Sequence, residues 1–292
     1  MNILTFDTEE WYIEKAANGD RKEMYPVFDG YLDRILDMLD ERGVKATFFC
    51  VGGLAKFFPE VVRKIDARGH EIGCHSNEHV WLTTFDEEGL YRDTREALAA
   101  IEDVIGRKVK SYRAPAFSIG EKNKWALEVL AECGIERDAS IYPSERDFGG
   151  FASFPSKTPC LLTVGRHTLQ EFPICLTQAL GKEFAFSGGG YFRLFPLPFI
   201  KSRMAGADYG MCYFHIDDLM YRKMRLQDKQ SFEEYYKIPG TLKNRTLRMI
   251  KGSIGTKGAF DKMLKLVNTF DFVNLEQAAE RIDWKKVKKV EL

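Results

Sequence analysis

The stretch Ile3-Leu4-Thr5-Phe6-Asp7-Thr8-Glu9-Glu10-Trp11 sets the terms on which the rest of the chain is read. A short apolar run ends abruptly in acids, as a buried strand does where it leaves the core. The same grammar recurs at Val44 to Val51, Glu71 to Cys74, Val109 to Tyr112, residues 137–141, Gln170 to Ile174, Met211 to Phe214 and Phe272 to Leu275. Helical spacing fills the intervals. Phe28, Tyr31, Leu32, Ile35, Leu36 and Leu39 fall at helical spacing before Gly43, and Phe57, Phe58, Val61, Val62 and Ile65 mark the next helix before Gly69. Residues 87–105, 122–133 and 257–268 read as further helices, and a last one runs to about Ile282. Alternating strands and helices predict an α/β fold with a parallel sheet and right-handed crossovers. About seven such units can close a barrel, whose chemistry collects at the C-terminal ends of the strands. Residues 145–168 and 181–195, rich in Gly, Ser and Pro, read as long loops.

Composition narrows the class. The chain has 292 residues, 45% hydrophobic and 29% charged, enough for one large core without disulfide staples. Its 43 basic and 43 acidic side chains cancel, so the composition offers no uncompensated positive field to draw nucleic acid or an anionic membrane. The basic run Lys285, Lys286, Lys288 and Lys289 reads as a solvated end. The cysteines form no CxxC pair, and several lie in apolar runs, as buried free thiols do. No signal-peptide pattern precedes the first motif, and no run of about 18 apolar residues occurs. The expectation is a cytoplasmic protein without a transmembrane segment, at most peripheral to a membrane glycan-assembly system.

Five polar motifs follow predicted strands. Asp7, Glu9 and Glu10 repel one another unless solvated or bound to a cation; one can ligate a metal while another acts as a base. In Gly73-Cys74-His75-Ser76-Asn77-Glu78-His79, two histidines at i and i+4 would share one side of a helical turn and could meet one ion. Arg113, before Pro115, could pair with a carboxylate of the first cluster and orient it. Asp138 either holds a neighbouring side chain or makes a turn before Pro143. His215, delivered by an apolar strand and followed by Asp217 and Asp218, suits protonation of a leaving amine. In the loop Ser187-Gly188-Gly189-Gly190-Tyr191-Phe192-Arg193, glycines permit close backbone approach and Tyr191 and Phe192 could offer flat faces to a sugar.

In order, Thr5-Phe6-Asp7, His75-Ser76-Asn77-Glu78-His79, Arg113-Ala114-Pro115, Asp138-Ala139-Ser140 and Tyr213-Phe214-His215 resemble the polysaccharide deacetylase family with the NodB-type domain. The opening acids with Trp11, the Arg-Ala-Pro-x-Phe-Ser-Ile run, Glu171-Phe172-Pro173 and the Gly-Gly-Gly-Tyr-Phe-Arg loop are similar to the subgroup found in exopolysaccharide gene clusters. The resemblance implies a distorted (β/α)7 barrel over residues 1–292, with a C-terminal extension at about 225–292. It implies that Asp7 is the base, His215 the acid, and Arg113 and Asp138 their supports. It also implies a divalent metal on His75, His79 and a carboxylate: zinc, with cobalt, nickel or iron also accommodated. The wider family takes its third ligand from an Asp directly after the base, where this chain has Thr8; the subgroup's pattern points to Glu9, with Glu10 as the alternative. Pro115, Tyr191, Phe192 and Trp11 are expected to line the substrate. The implied activity is removal of an N-acetyl group from an amino sugar in a glycan or its precursor. Competing readings are hydrolysis of an O-acetyl ester or a non-sugar amide, and a non-catalytic carbohydrate-binding protein. Oligomeric state cannot be read from these residues.

Overall fold

The computed structural model describes residues 1–13, 22–146, 149–179, 181–221, 225–236 and 238–292. The strands are β1 (Asn2–Thr8), β2 (Thr47–Cys50), β3 (Glu71–Cys74), β4 (Ser111–Tyr112), β5 (Arg137–Asp138), β6 (Cys160–Val164), β7 (His167–Glu171), β8 (Thr177–Ala179), β9 (Lys182–Phe184), β10 (Gly210–His215), β11 (Phe272–Val273) and β12 (Lys288–Glu291). The sequence β10-β1-β2-β3-β4-β5-β7 runs parallel throughout, giving the seven staves that the strand–helix alternation predicts. Beyond β7 the sheet continues through antiparallel β6 to β12, and β11 pairs with the start of β1.

No strand ladder joins β7 to β10, so the barrel is distorted and open there. Side chains bridge the gap. The Tyr209 hydroxyl donates to the Pro173 carbonyl at 2.7 Å, and Ser187 Oγ donates to the Met211 carbonyl at 2.7 Å. A single parallel bridge joins Gly188 to Tyr213.

The principal helices are α1 (Tyr25–Glu41), α2 (Gly52–Phe57), α3 (Pro59–Ala67), α4 (Glu87–Ile105), α5 (Ala126–Glu132), α6 (Gly189–Leu194), α7 (Leu197–Ala205), α8 (Lys229–Tyr236), α9 (Leu242–Ser253), α10 (Ala259–Val267) and α11 (Leu275–Arg281). In α1 the periodicity selects Phe28, Leu32, Ile35, Leu36 and Leu39, which are buried, and Tyr31, which is half-buried; Met38 is buried as well, and Gly43 takes φ +62° just after the helix end. α4 starts on Asp86, whose Oδ1 accepts from Gly89 N, and ends on left-handed Gly106.

Two expectations are corrected. The loop read over 181–195 contains α6, and the loop read over 145–168 contains β6 among its described residues. The lysines of the basic tail are exposed, as a solvated end requires, although Val290 anchors that end in edge strand β12. All six cysteines are buried free thiols, as their apolar settings predict. No described helix is long and apolar enough to cross a membrane.

Candidate active site

The site forms at the C-terminal ends of the barrel strands. Alternation along β1 turns Thr5 and Asp7 to the same side, where both meet Arg113 at the exit of β4. Arg113 is fully buried. Its Nη1 donates to Thr5 Oγ1 and Asp7 Oδ1, each at 2.8 Å, and its Nε donates to the Ala139 carbonyl at 3.2 Å. The guanidinium also lies over the Phe49 ring, 4.3 Å from its centroid. A buried cation needs such partners, and here they fix the Asp7 carboxylate in place.

Directly after β1 the chain turns, and its acids diverge. Glu9 Oε2 lies 2.8 Å from His79 Nε2 and 3.4 Å from His75 Nε2, and Glu9 Oε1 lies 3.4 Å from His215 Nε2. Glu10 faces elsewhere, its oxygens accepting from Asp217 N at 3.0 Å and Glu9 N at 3.2 Å. Burial drives both carboxyls upward. For Glu9 the surrounding imidazoles outweigh burial and hold it well below the carboxylate range. For Glu10, burial together with the Asp217 carboxylate prevails, and it is pushed up to about 8.

Residues 75–79 are not the helical turn that their spacing suggests. They form an irregular loop in which Ser76 and His79 adopt left-handed φ of 62° and 54°. Asn77 N donates to Asp93 Oδ2 at 3.0 Å and steadies the loop. The two imidazoles converge all the same, with ring centroids 5.1 Å apart. His75 Nδ1 lies 2.7 Å from the Arg113 carbonyl. That contact requires the proton on Nδ1 and leaves the Nε2 lone pair facing Glu9. Buried Glu9 Oε2 receives no hydrogen bond, although both rings are near it. Two imidazole nitrogens converging on a buried carboxylate oxygen that has no hydrogen bond fit a cation. The donor atoms of Glu9, His75 and His79 all lie within 4.8 Å of one another, and these residues could hold a metal.

His215 is the register partner of Asp7 on the neighbouring strand. Its Nδ1 lies 3.2 Å from Asp218 Oδ2, which also accepts from His215 N at 3.0 Å. Arg193, on α6, pairs with Asp218 Oδ1 from the other side. Burial opposes the charged ring, but the Glu9 and Asp218 carboxylates overcome it and hold His215 well above the ordinary imidazole value. Burial likewise opposes the Asp218 charge, and His215 and Arg193 bring its carboxyl down to about 2.

Several expected residues lie elsewhere. Asp138 does not reach His215; its oxygens accept from Ser140 Oγ at 2.6 Å and Ser140 N at 2.9 Å, and Ser140 Oγ accepts from Ala114 N at 2.8 Å. Asp138 thus fixes the turn carrying Arg113. Its strand neighbour Glu171 is fully buried; burial and the Asp138 carboxylate push it well up. Trp11 offers no face to a sugar, because it is buried edge-on against Phe28. Phe192 is buried edge-on against Phe214, and Pro115 is buried inside its turn. Tyr191 alone of the four is exposed, stacked with Phe184 and Phe195. The sequence reading missed the part of Arg193, which stands at the end of the glycine-rich motif, and that of Thr5, two residues before Asp7 on one strand face.

Residues 3–137 match the family model described as polysaccharide deacetylase. Residues 139–280 match a second model, described as a domain of unknown function (DUF3473). The first match supplies Asp7, Glu9, His75, His79 and Arg113, whereas Arg193, His215 and Asp218 come from the second match. One sheet carries both sets.

Among similar proteins, a peptidoglycan-N-acetylglucosamine deacetylase of Bacillus cereus is 30% identical over 146 residues, 46% of this chain and 54% of that protein. A chitin deacetylase of Pestalotiopsis sp is 36% identical over 107 residues, covering 36% of this chain and 35% of that one. A chitooligosaccharide deacetylase of Rhizobium leguminosarum bv. trifolii is 38% identical over 90 residues, covering 29% of this chain and 42% of that one. The chain thus spans about a third to a half of the length of these relatives. The fold is similar to that of a crystal structure from Mycobacterium smegmatis described as a candidate polysaccharide deacetylase. The TM-score is 0.63 at 20% identity, covering 100% of this chain and 92% of that one. It is also similar to a CE4 family pseudoenzyme from Bacillus anthracis, with TM-score 0.50 and 15% identity over 100% of this chain and 69% of that one.

Proposed function

We propose that this chain is a metal-dependent carbohydrate deacetylase that hydrolyses the N-acetyl amide of an amino sugar, releasing acetate and the free amine. The observation carrying this reading is the register of β1 and β10: Asp7 and His215 stand side by side, with Glu9, His75 and His79 gathered between them. A base, a cation site and an acid at one barrel mouth are the parts that amide hydrolysis needs.

Glu9, His75 and His79 are the proposed ligands. A divalent ion held there would polarise the acetyl carbonyl and acidify a water, and two nitrogens with one carboxylate suit zinc, with cobalt, nickel and iron as alternatives. Asp7, fixed by Arg113, accepts the proton of the attacking water. His215 carries the second proton and gives it to the amine nitrogen as the carbon–nitrogen bond breaks. Asp218 and Arg193 hold the His215 ring in line, and Tyr191 offers an exposed face for a sugar ring. The relatives named deacetylases of chitin, chitooligosaccharide and peptidoglycan support an N-acetylated glycan as substrate. The likeness to the exopolysaccharide-cluster subgroup favours a glycan precursor made inside the cell. The chain is then one domain, the two family matches being halves of one barrel.

The test is acetate release from N-acetylglucosamine oligomers. Asp7→Asn and His75→Ala are each expected to lower the rate about 10²–10⁴-fold, and a chelator should do the same. Acetate output untouched by either substitution would remove the proposal.

A further inference from the structure

Helix α9 departs from the pattern of the barrel helices, because it buries none of its residues. Leu242 is 63% exposed, Leu247 46%, Ile250 45% and the cap residue Ile254 45%. At about 100° per residue these side chains, with exposed Lys243 and Lys251, fall within one half of the helix circumference. Residues 238–260 also hold Lys243, Arg245, Arg248, Lys251 and Lys257 and not one Asp or Glu, in a chain whose 43 cations and 43 anions otherwise cancel. The nearest preceding acids, Glu233 and Glu234, lie on α8.

The patch continues onto α6. Arg193 Nη2 lies 3.5 Å from the Lys251 carbonyl, and the Arg193 carbonyl lies against Gly255. The next residue, Leu194, is 58% exposed.

We infer that α9, with Leu194 beside it, docks this protein onto an anionic lipid surface. Although the chain as a whole carries no net charge, long aliphatic side chains flanked by exposed Lys243 and Lys251 suit the boundary between headgroups and acyl chains: the apolar tips enter and the ammonium groups stay among the lipid charges. A second copy on this face would oppose cation to cation. The docking does not depend on the reaction assigned above. Arg193, however, also holds Asp218 and through it His215, so the surface adjoins the support of the candidate acid.

Co-sedimentation of the full chain with vesicles tests this. One set is phosphatidylcholine alone, and the other mixes it equally with phosphatidylglycerol. Binding to the anionic set is expected to be at least about tenfold tighter and to weaken as salt rises. Leu247→Ser with Ile250→Ser should cut binding to anionic vesicles about tenfold, and Lys243→Ala with Lys251→Ala should remove most of the anionic preference. All four side chains are exposed, so unchanged thermal melting would show that the variants are folded. No binding by the folded wild type, equal partition to both vesicle sets, binding untouched in both double variants, or self-association lost in those variants would overturn the inference.

Discussion

Asp218 controls two atoms of His215, its ring Nδ1 and its backbone N, and its own charge is balanced by Arg193. Burial pulls the imidazole toward neutrality, and the Glu9 and Asp218 carboxylates reverse that pull. Such an acid works only below its raised pKa, so activity should fall as pH climbs through it. Asp218→Asn withdraws one of the two anions, and the alkaline limb of the kcat profile is expected to move to lower pH; an unmoved limb would exclude His215 as the acid held by Asp218. The same pair has a stability consequence. A carboxyl brought down to about 2 from an ordinary 3.8 contributes stability that is present above pH 3.8 and lost as pH falls toward 2. Arg113 makes a separate demand. Arg113→Met would leave Asp7 buried without its counter-ion, at a cost of about 3–5 kcal/mol in urea unfolding. The resemblance pointed to Glu9, but the residues alone did not separate it from Glu10, because neighbouring acids past a strand end have no periodicity to distinguish them. Only the turn after Thr8 sends one toward the histidines and the other toward the backbone N–H groups of Glu9 and Asp217. Trp11 misled for the same reason: that turn buries it against Phe28.

Elements that bury one continuous apolar set were legible. β1, β2 and β10 announce themselves in Ile3 to Phe6, Val44 to Val51 and Met211 to Phe214, and α1 and α4 through stripes and terminal glycines. α6 was not legible, because Gly188-Gly189-Gly190 argues against a helix on propensity alone. Its reason lies in packing. A Cβ on Gly188 would come within 2.2 Å of the Tyr213 ring on β10, so no larger residue allows this close approach at the barrel gap. Gly188→Ala is expected to cost about 1–3 kcal/mol, read as a lowered thermal midpoint. The histidine loop taught a related lesson. Spacing of i and i+4 correctly brought His75 and His79 together, but the backbone achieves it through left-handed Ser76 and His79 rather than a helical turn.

At the scale of the molecule, strand–helix alternation foretold the seven parallel staves and the end of the barrel where chemistry gathers. It could not foretell how the barrel stops. β6 and β12 lie outside the parallel run, and the gap between β7 and β10 is bridged by Tyr209 and Ser187 side chains with no signature in the pattern. The consequence is a site assembled across both family matches, with the proposed base and ligands from residues 3–137 and the proposed acid with its supports from residues 139–280. The most direct test of that assembly is a zinc titration of chelator-treated protein, followed by acetate release. Acetate production should rise linearly and level off at about one equivalent per chain. Glu9→Ala should abolish the rise, and Glu10→Gln should retain it. Full activity without added metal, or a rise kept by Glu9→Ala and lost in Glu10→Gln, would contradict the account.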